Sequence, residues 1–468
     1  MGNIYRKKKK TGRYIFLFLI VFAAITYSVF RWQQKVDLFD ADAVLQNTVL
    51  KNKKFSGKVS VIENDGLKAF LMEEKSNPIV SVSFKFLHAG TAYETDDQSG
   101  LVHLLSEMLL AGTKNHDFLK FRYLTEEYGI KIGYSASDDD FDGYLIFPKV
   151  NMQMAENLLV ETLTEPQFDE NYMMLYKQQL AHLIDTQEEN IEKVSELTFR
   201  KSICKGHPYA RNPLGDKSII AKLDEETLRN FMQRYFTKSN LLIGIAGDIT
   251  SSEAEHLIAR LFGHLPQQGD NRILRSIVVE ANGKSYQNEK KFAQVLTRFV
   301  VQGTHRQADD FYPLYIANYI FGGSGLNSVI SKNIREDKGL TYGIYTYLRI
   351  SDAANLLEGH FSSSPENFKP AKELLLEEWH KFAAKGITQT DLQQAKKSLI
   401  DSYNLRFSSI SDISEMLVGM QKYNLGVDFL QKRNQYVDNV TLGAVNDAIK
   451  KYYTSEPDFI TVGTYKGD

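Results

Sequence analysis

The chain has 468 residues, 43% of them apolar and 12% aromatic, with one cysteine and a formal net charge of −2. That length holds two or three ordinary domains with ample core, and the composition excludes a disordered or low-complexity polymer. The lone Cys204 excludes an internal disulfide framework and, within Ser202-Ile203-Cys204, reads as a small buried residue.

At the N-terminus Arg6, Lys7 to Lys10 and Arg13 precede an uncharged apolar run from Tyr14 to Phe30, closed by Arg31 and Trp32. Such a run is at the short end of a membrane span, for which roughly 17–25 residues suffice. The basic cluster keeps the N-terminus cytoplasmic and sends the remainder across the membrane. Residues 1–31 therefore read as a basic segment with a membrane anchor, and 32–54 as a linker. A signal peptide cleaved after the weak small-x-small sequence Thr26-x-Ser28 is the alternative. Without the six basic residues of that cluster the remainder carries −8, which argues against a nucleic-acid partner.

The next informative stretch runs from Gly100 to Thr113. An inverted zinc motif has the order His-x-x-Glu-His, with two histidines one helical turn apart and a glutamate base beside the second. Here His103 stands at the first histidine position, Ser106 at the glutamate position and Glu107 at the second histidine position. The helical scaffold is kept and the general base is lost. Farther on, His207 lies within Gly206-His207-Pro208-Tyr209, a context in which it fixes a turn.

Two pairs of segments rhyme. Phe84 to Thr91, reaching Asp96-Asp97, is matched by Phe299 to Thr304, reaching Asp309-Asp310, at an offset of 213. A helix opening at Asp224 and ending in Tyr235-Phe236-Thr237 precedes a strand from Asn240 to Ala246. Its counterpart opens at Thr441, ends in Tyr452-Tyr453-Thr454 and precedes a strand from Asp458 to Thr464, at an offset of 217. Asp224 and Thr441 are good N-caps, since their side-chain oxygens can accept from free first-turn amides. Helical spacing also marks Pro370 to Lys385 and Asp391 to Asn404. The pattern predicts an α+β fold repeated twice, each half a mostly antiparallel sheet with helices packed on one face. The halves fall at 55–265 and 275–468, with an interdomain linker at 266–274.

Over residues 55–468 the chain resembles the pitrilysin/insulinase family of zinc metallopeptidases, in its short two-domain bacterial and mitochondrial-processing-peptidase form. Four segments carry the resemblance: the His103 to Thr113 helix; Gly206 to Ala210 with Leu214-Gly215; Gly247-Asp248; and Phe321-Gly322-Gly323 through Ser328 to Arg335-Glu336-Asp337-Lys338-Gly339-Leu340-Thr341-Tyr342. The resemblance implies that Arg335 and Tyr342 bind substrate. A guanidinium can hold a carbonyl or carboxylate, and a phenol can donate to the oxyanion formed when water adds to a peptide bond. It also places the third zinc ligand near His182 to Asp185, where no glutamate stands; Glu188, Glu189 and Glu192 lie beyond.

No intact catalytic set follows from these residues. His103 reads as a packed, hydrogen-bonded structural histidine with no metal bound. The alternative is an altered metal site of His103, Glu107 and His182, although Ser106 could not replace the missing base. The resemblance implies a catalytically inactive subunit, without zinc of its own, that binds peptide and completes the chamber of a heteromeric protease whose homologous partner carries zinc. The N-terminal basic cluster and apolar run point to the periplasmic side of a bacterial inner membrane, with the chain anchored by that helix or, after signal cleavage, soluble there. The alternatives are a non-enzymatic scaffold of the same fold and a weak self-sufficient metallopeptidase using the altered ligands.

Overall fold

In the computed structural model, which describes residues 57–465, strands rich in Val, Ile and Phe build two sheets. The first comprises β1 (Ser60–Asn64), β2 (Leu67–Glu73), β3 (Ile79–Phe86), β4 (Lys131–Ala136), β5 (Phe141–Pro148) and β6 (Leu241–Gly247), in the order β1-β2-β6-β3-β5-β4. The second comprises β7 (Ser285–Asn288), β8 (Val295–Gln302), β9 (Gly343–Ile350), β10 (Asn355–Ser363) and β11 (Asp458–Val462), in the order β7-β11-β8-β10-β9. Apart from β1 the two orders coincide. In each, one neighbour of the returning strand runs parallel to it (β2 with β6, β7 with β11) and all other pairs are antiparallel. The repeat heard in the sequence is thus a repeat of sheet topology. β4 and β9 occupy matching open edges.

Helices of the first half are α1 (Leu101–Met108), α2 (Phe118–Glu127), α3 (Met152–Thr164), α4 (Glu170–Gln187), α5 (Ile191–Ile203), α6 (Lys217–Ile220), α7 (Glu225–Tyr235) and α8 (Ser251–Phe262). Those of the second are α9 (Phe311–Asn318), α10 (Phe368–Lys385), α11 (Gln389–Asp401), α12 (Ile410–Lys422), α13 (Phe429–Asp438) and α14 (Leu442–Tyr453). The expected caps are present: Asp224 accepts the Thr227 amide at 2.9 Å and Thr441 the Ala444 amide at 3.2 Å.

The expectation of helices on one sheet face only needs correction. α12 of the second half packs across β6, β3 and β2 of the first, and α5 of the first packs on β11 and β8 of the second. Each sheet is therefore covered on both faces, once by its own half and once by the other. Small residues allow the close approach. Ser81 and Ser83 hydrogen-bond through their hydroxyls to Ser414 of α12 at 2.9 and 2.8 Å. A side chain at Gly244 would put its Cβ 2.1 Å from the Ser414 carbonyl oxygen. Strands enclosed in this way lose the apolar–polar alternation of a half-solvated sheet, and β3, β6, β8 and β11 are accordingly buried along nearly their whole length. Val300, Leu356 and Ile460 of the second sheet join the first half's core. Among the described residues no helix is long and apolar enough to cross a membrane, and the anchor expected at 1–31 falls outside the described residues.

Candidate functional site

α1 begins where two glycines meet. Gly100 has φ +99° and Gly215 φ +91°, and a Cβ on Gly215 would lie 2.4 Å from the Gly100 Cα. The loop ending at Gly215 thus seats against the start of the helix by backbone contact. Glu94 caps this end, accepting from the Gly100 amide at 3.1 Å and the Val102 amide at 2.8 Å. Burial pushes the Glu94 carboxyl up to about 8, although both amides and Arg211 pull it down.

On this helix His103 is half-buried and its ring makes no hydrogen bond with any described residue, contrary to the expected hydrogen-bonded histidine. Burial lowers its pKa, with the Asp138 charge opposing. The Ser106 hydroxyl donates to the His103 carbonyl oxygen at 2.8 Å, so it is spent on the helix's own backbone. Glu107 is exposed, and its charge helps burial raise the pKa of Tyr176 on α4.

The altered metal site is not assembled. Among the described residues no three His, Cys, Asp or Glu side chains stand close enough to hold an ion. The reason lies in α4, whose inward residues include Met173, Leu180 and Gln187. His182 follows Leu180 by two positions, roughly 200° around the helix, and points outward. The donor set does not fit a catalytic zinc, which needs three protein ligands and an activated water. His207 does fix a turn: its Nδ1 accepts the Tyr209 amide at 3.1 Å, and its Nε2 lies 3.1 Å from the Arg275 carbonyl oxygen. Cys204 is buried and free.

In the second half, Arg335 closes a π-helical turn (Ser331–Glu336), an uncommon conformation that clusters at functional sites. The chain reverses at Gly339, φ +64°, and reaches Tyr342, whose amide donates to Ser362 O at 2.8 Å. Tyr342 is 61% exposed, directly before β9. No described residue pairs with the Arg335 guanidinium or the Tyr342 hydroxyl, so neither is held in a salt bridge or a side-chain hydrogen bond. Tyr342 directly precedes β9 and the turn that carries Arg335 packs against that strand; β9 is an edge strand, whose free amides and carbonyls can accept another strand.

A polar seam between the halves escaped sequence reading. The β4–β5 and β9–β10 turns repeat one another at an offset of 214 as Ser137-Asp138 and Ser351-Asp352. Ser137 takes the Asp140 amide on its hydroxyl at 3.0 Å, and Ser351 takes the Ala354 amide at 3.1 Å. The turns touch: the Asp352 amide donates to Asp139 at 3.0 Å, and Tyr209 donates its hydroxyl to Asp139. Lys422 of α12 neutralises the site, pairing with Asp140 and lying 3.2 Å from Asp352. Nearby, the fully buried Glu358 accepts from Arg298, Tyr347 and Arg349, each at 2.7 Å. Glu196 of α5 joins Arg298 and Arg349 at 3.2 and 3.4 Å. A cavity of about 790 Å³ opens above this seam, between α12 and the outer face of β3, β4 and β5.

Comparison with known proteins agrees with this architecture. Residues 69–217 match the model of the insulinase (peptidase family M16) domain, and residues 222–399 that of the peptidase M16 inactive domain. The chain is 25% identical over 386 residues to the non-peptidase homolog YmxG of Helicobacter pylori, spanning 78% of this chain and 86% of the relative. It is 23% identical over 407 residues to the probable inactive metalloprotease YmfF of Bacillus subtilis, spanning 81% and 92%. The solved peptidase M16 inactive domain from Pseudomonas fluorescens superposes with a TM-score of 0.81 at 23% identity, covering 88% of this chain and 98% of that one. With its duplicated sheets and the degenerate zinc motif on α1, the chain belongs to the insulinase family of M16 peptidases.

Proposed function

We propose that this chain is the non-zinc subunit of a heteromeric M16 peptidase, binding an extended peptide and completing the chamber around a partner's zinc. One observation carries the reading: Tyr342 directly precedes the edge strand β9 and Arg335 stands in a π-helical turn packed against it, both side chains unpaired among the described residues, while α1 offers neither a base nor a ligand set. An extended peptide would add to β9 by backbone hydrogen bonds, the mode in which strand addition supplies affinity. Arg335 and Tyr342 would then hold a carbonyl as negative charge develops on it at the partner's metal. The names of the Helicobacter and Bacillus relatives, a non-peptidase homolog and a probable inactive metalloprotease, support the loss of independent activity. The N-terminal apolar run supports export and anchoring at the periplasmic face of the membrane.

The test is to assay the purified full-length chain alone and with an intact-motif homologue from the same cell. The chain alone leaves an unfolded protein substrate uncut, and the pair cleaves it. Replacing Tyr342 with Phe lowers the pair's turnover by about 10²–10³-fold, the usual effect of losing one oxyanion donor. Cleavage by the chain alone contradicts the proposal. So does partner activity indifferent to Arg335→Ala, which would favour a pure scaffold.

A further inference from the structure

The cavity beside α12 plays no part in the function proposed above. At about 790 Å³ it falls within the range of small-molecule sites, roughly 300–1,000 Å³. Its floor follows from strand register. Ser83 faces α12, where its hydroxyl meets that of Ser414; Tyr144 stands across from Ser83, and Gly133 across from Tyr144. Residues opposed in this way share a face, so Tyr144 also turns towards α12. Glycine at 133 lets the far end of the ring rest on β4, since a Cβ there would lie 2.4 Å from the ring's Cε1. The ring is 43% exposed and no described residue bonds its hydroxyl. On the opposite wall, a Cβ added to Gly419 of α12 would meet no atom within 4 Å, so the helix leaves space open where a side chain would fill it.

The inner end of the cavity carries an excess of negative charge. The carboxylates of Asp139, Asp140, Asp142 and Asp352 share the ammonium groups of Lys85 and Lys422. Lys85 lies 3.2 Å from Asp140 and 2.5 Å from Asp142, while Lys422 pairs with Asp140 and reaches Asp352 at 3.2 Å and Asp139 at 3.8 Å. Both lysines approach Asp140 through Oδ2. Its Oδ1 is buried without a hydrogen-bond partner, on a residue 1% exposed that lines the cavity. Such an oxygen calls for a donor. Burial and the Asp352 charge push the Asp139 carboxyl up to about 6, the response of a group among too many like charges. The donor that suits this end is therefore positively charged. Among the described residues no three His, Cys, Asp or Glu side chains are placed to hold a metal ion, so the fitting cation is one that binds by hydrogen bonds, an ammonium.

We propose that this cavity binds a primary amine, its ammonium donating to Asp140 Oδ1 and its apolar body lying between the Tyr144 ring and Val418 and Gly419 of α12. An ammonium has three N–H donors and no acceptor, which suits an end rich in carboxylates. The Tyr144 ring offers an aromatic surface to an aryl or alkyl body. Because β5 belongs to the first half and α12 to the second, the ligand ties the halves together, and its binding stabilises the folded chain by mass action.

The experiment titrates the full-length chain with benzylamine by isothermal titration calorimetry and follows Tm in parallel. Benzylamine binds one to one and raises Tm with concentration. Benzyl alcohol, which lacks the charge, and methylamine, which lacks the body, each bind about tenfold more weakly or worse; benzoate does not bind. Gly419→Leu fills the cavity from α12 and abolishes binding without lowering the Tm of the free chain. Asp140→Asn brings benzylamine down to the affinity of benzyl alcohol, with circular dichroism confirming the fold. Absence of benzylamine binding, equal binding of benzyl alcohol or benzoate, or binding undiminished in Gly419→Leu overturns the assignment. So does a calcium or magnesium salt that raises Tm more than benzylamine does.

Discussion

Lys422 joins the two halves, and its removal has a calculable consequence. It projects from the last turn of α12 with its side chain 11% exposed, pairing with Asp140, 3.2 Å from Asp352 and 3.8 Å from Asp139. In Lys422→Met, Asp140 keeps Lys85 at 3.2 Å and Asp139 keeps Tyr209 and the Asp352 amide, but Asp352 loses its cation. Removing one partner from a buried charged cluster costs about 3–5 kcal/mol. With an unfolding entropy of about 2.1 cal/mol/K per residue over roughly 400 residues, a loss of about 4 kcal/mol lowers Tm by about 5 °C. The effect also has a pH sign. Burial, reinforced by Asp352, pushes the Asp139 carboxyl from an ordinary 3.8 up to about 6, and Lys422 opposes the shift. The native state therefore holds a proton that the unfolded chain has released, and stability falls as pH rises from about 4 to about 6. Without Lys422 that fall continues to higher pH, so calorimetry at pH 5 and pH 8 finds the larger Tm deficit at pH 8. A deficit below about 1 °C at both values, or one larger at pH 5, refutes the reasoning.

Other consequences are equally direct. Glu358→Ala leaves Arg298 and Arg349 to share Glu196 as their one carboxylate and costs about 3 kcal/mol in urea denaturation; a cost within experimental error would mean that the seam is not held by charge. Arg335→Ala leaves stability within about 0.5 kcal/mol, because the guanidinium has no partner to lose, yet it weakens peptide binding in an anisotropy titration. Rewriting α1 as Ser106→Glu with Glu107→His restores the motif's letters but not a site, since α4 presents no third ligand; the variant retains less than about a tenth of an equivalent of zinc after dialysis.

The duplication was legible because Gly90, Thr91, Asp96 and Asp97 recur with their strands at one offset, and a strand-then-helix pattern constrains topology strongly. Helix starts at Asp224 and Thr441 were legible for the same local reason: capping depends on a residue and its next three neighbours. What could not be read was contact between distant segments. Nothing in Ser81, Ser83 and Gly244 alone announces that Ser414, more than 300 residues later, packs on them. The Asp139, Asp140 and Lys422 seam is likewise invisible until the halves close. One signal was present and unread, the repeated Ser-Asp turn at Ser137 and Ser351. His182 shows the opposite error, in which sequence distance suggested a ligand and helical phase turned it outward.

On the function proposed above, the α1 motif holds no catalytic metal and chemistry, where it occurs, belongs to a partner. The most direct measurement is the zinc content of the purified full-length chain after extensive dialysis near neutral pH. The expected value is below about a tenth of an equivalent per chain, since true structural and catalytic zinc sites bind too tightly to empty. Close to one equivalent, lost on changing His103 to Ala, would contradict the claim and make this chain a metalloprotein in its own right.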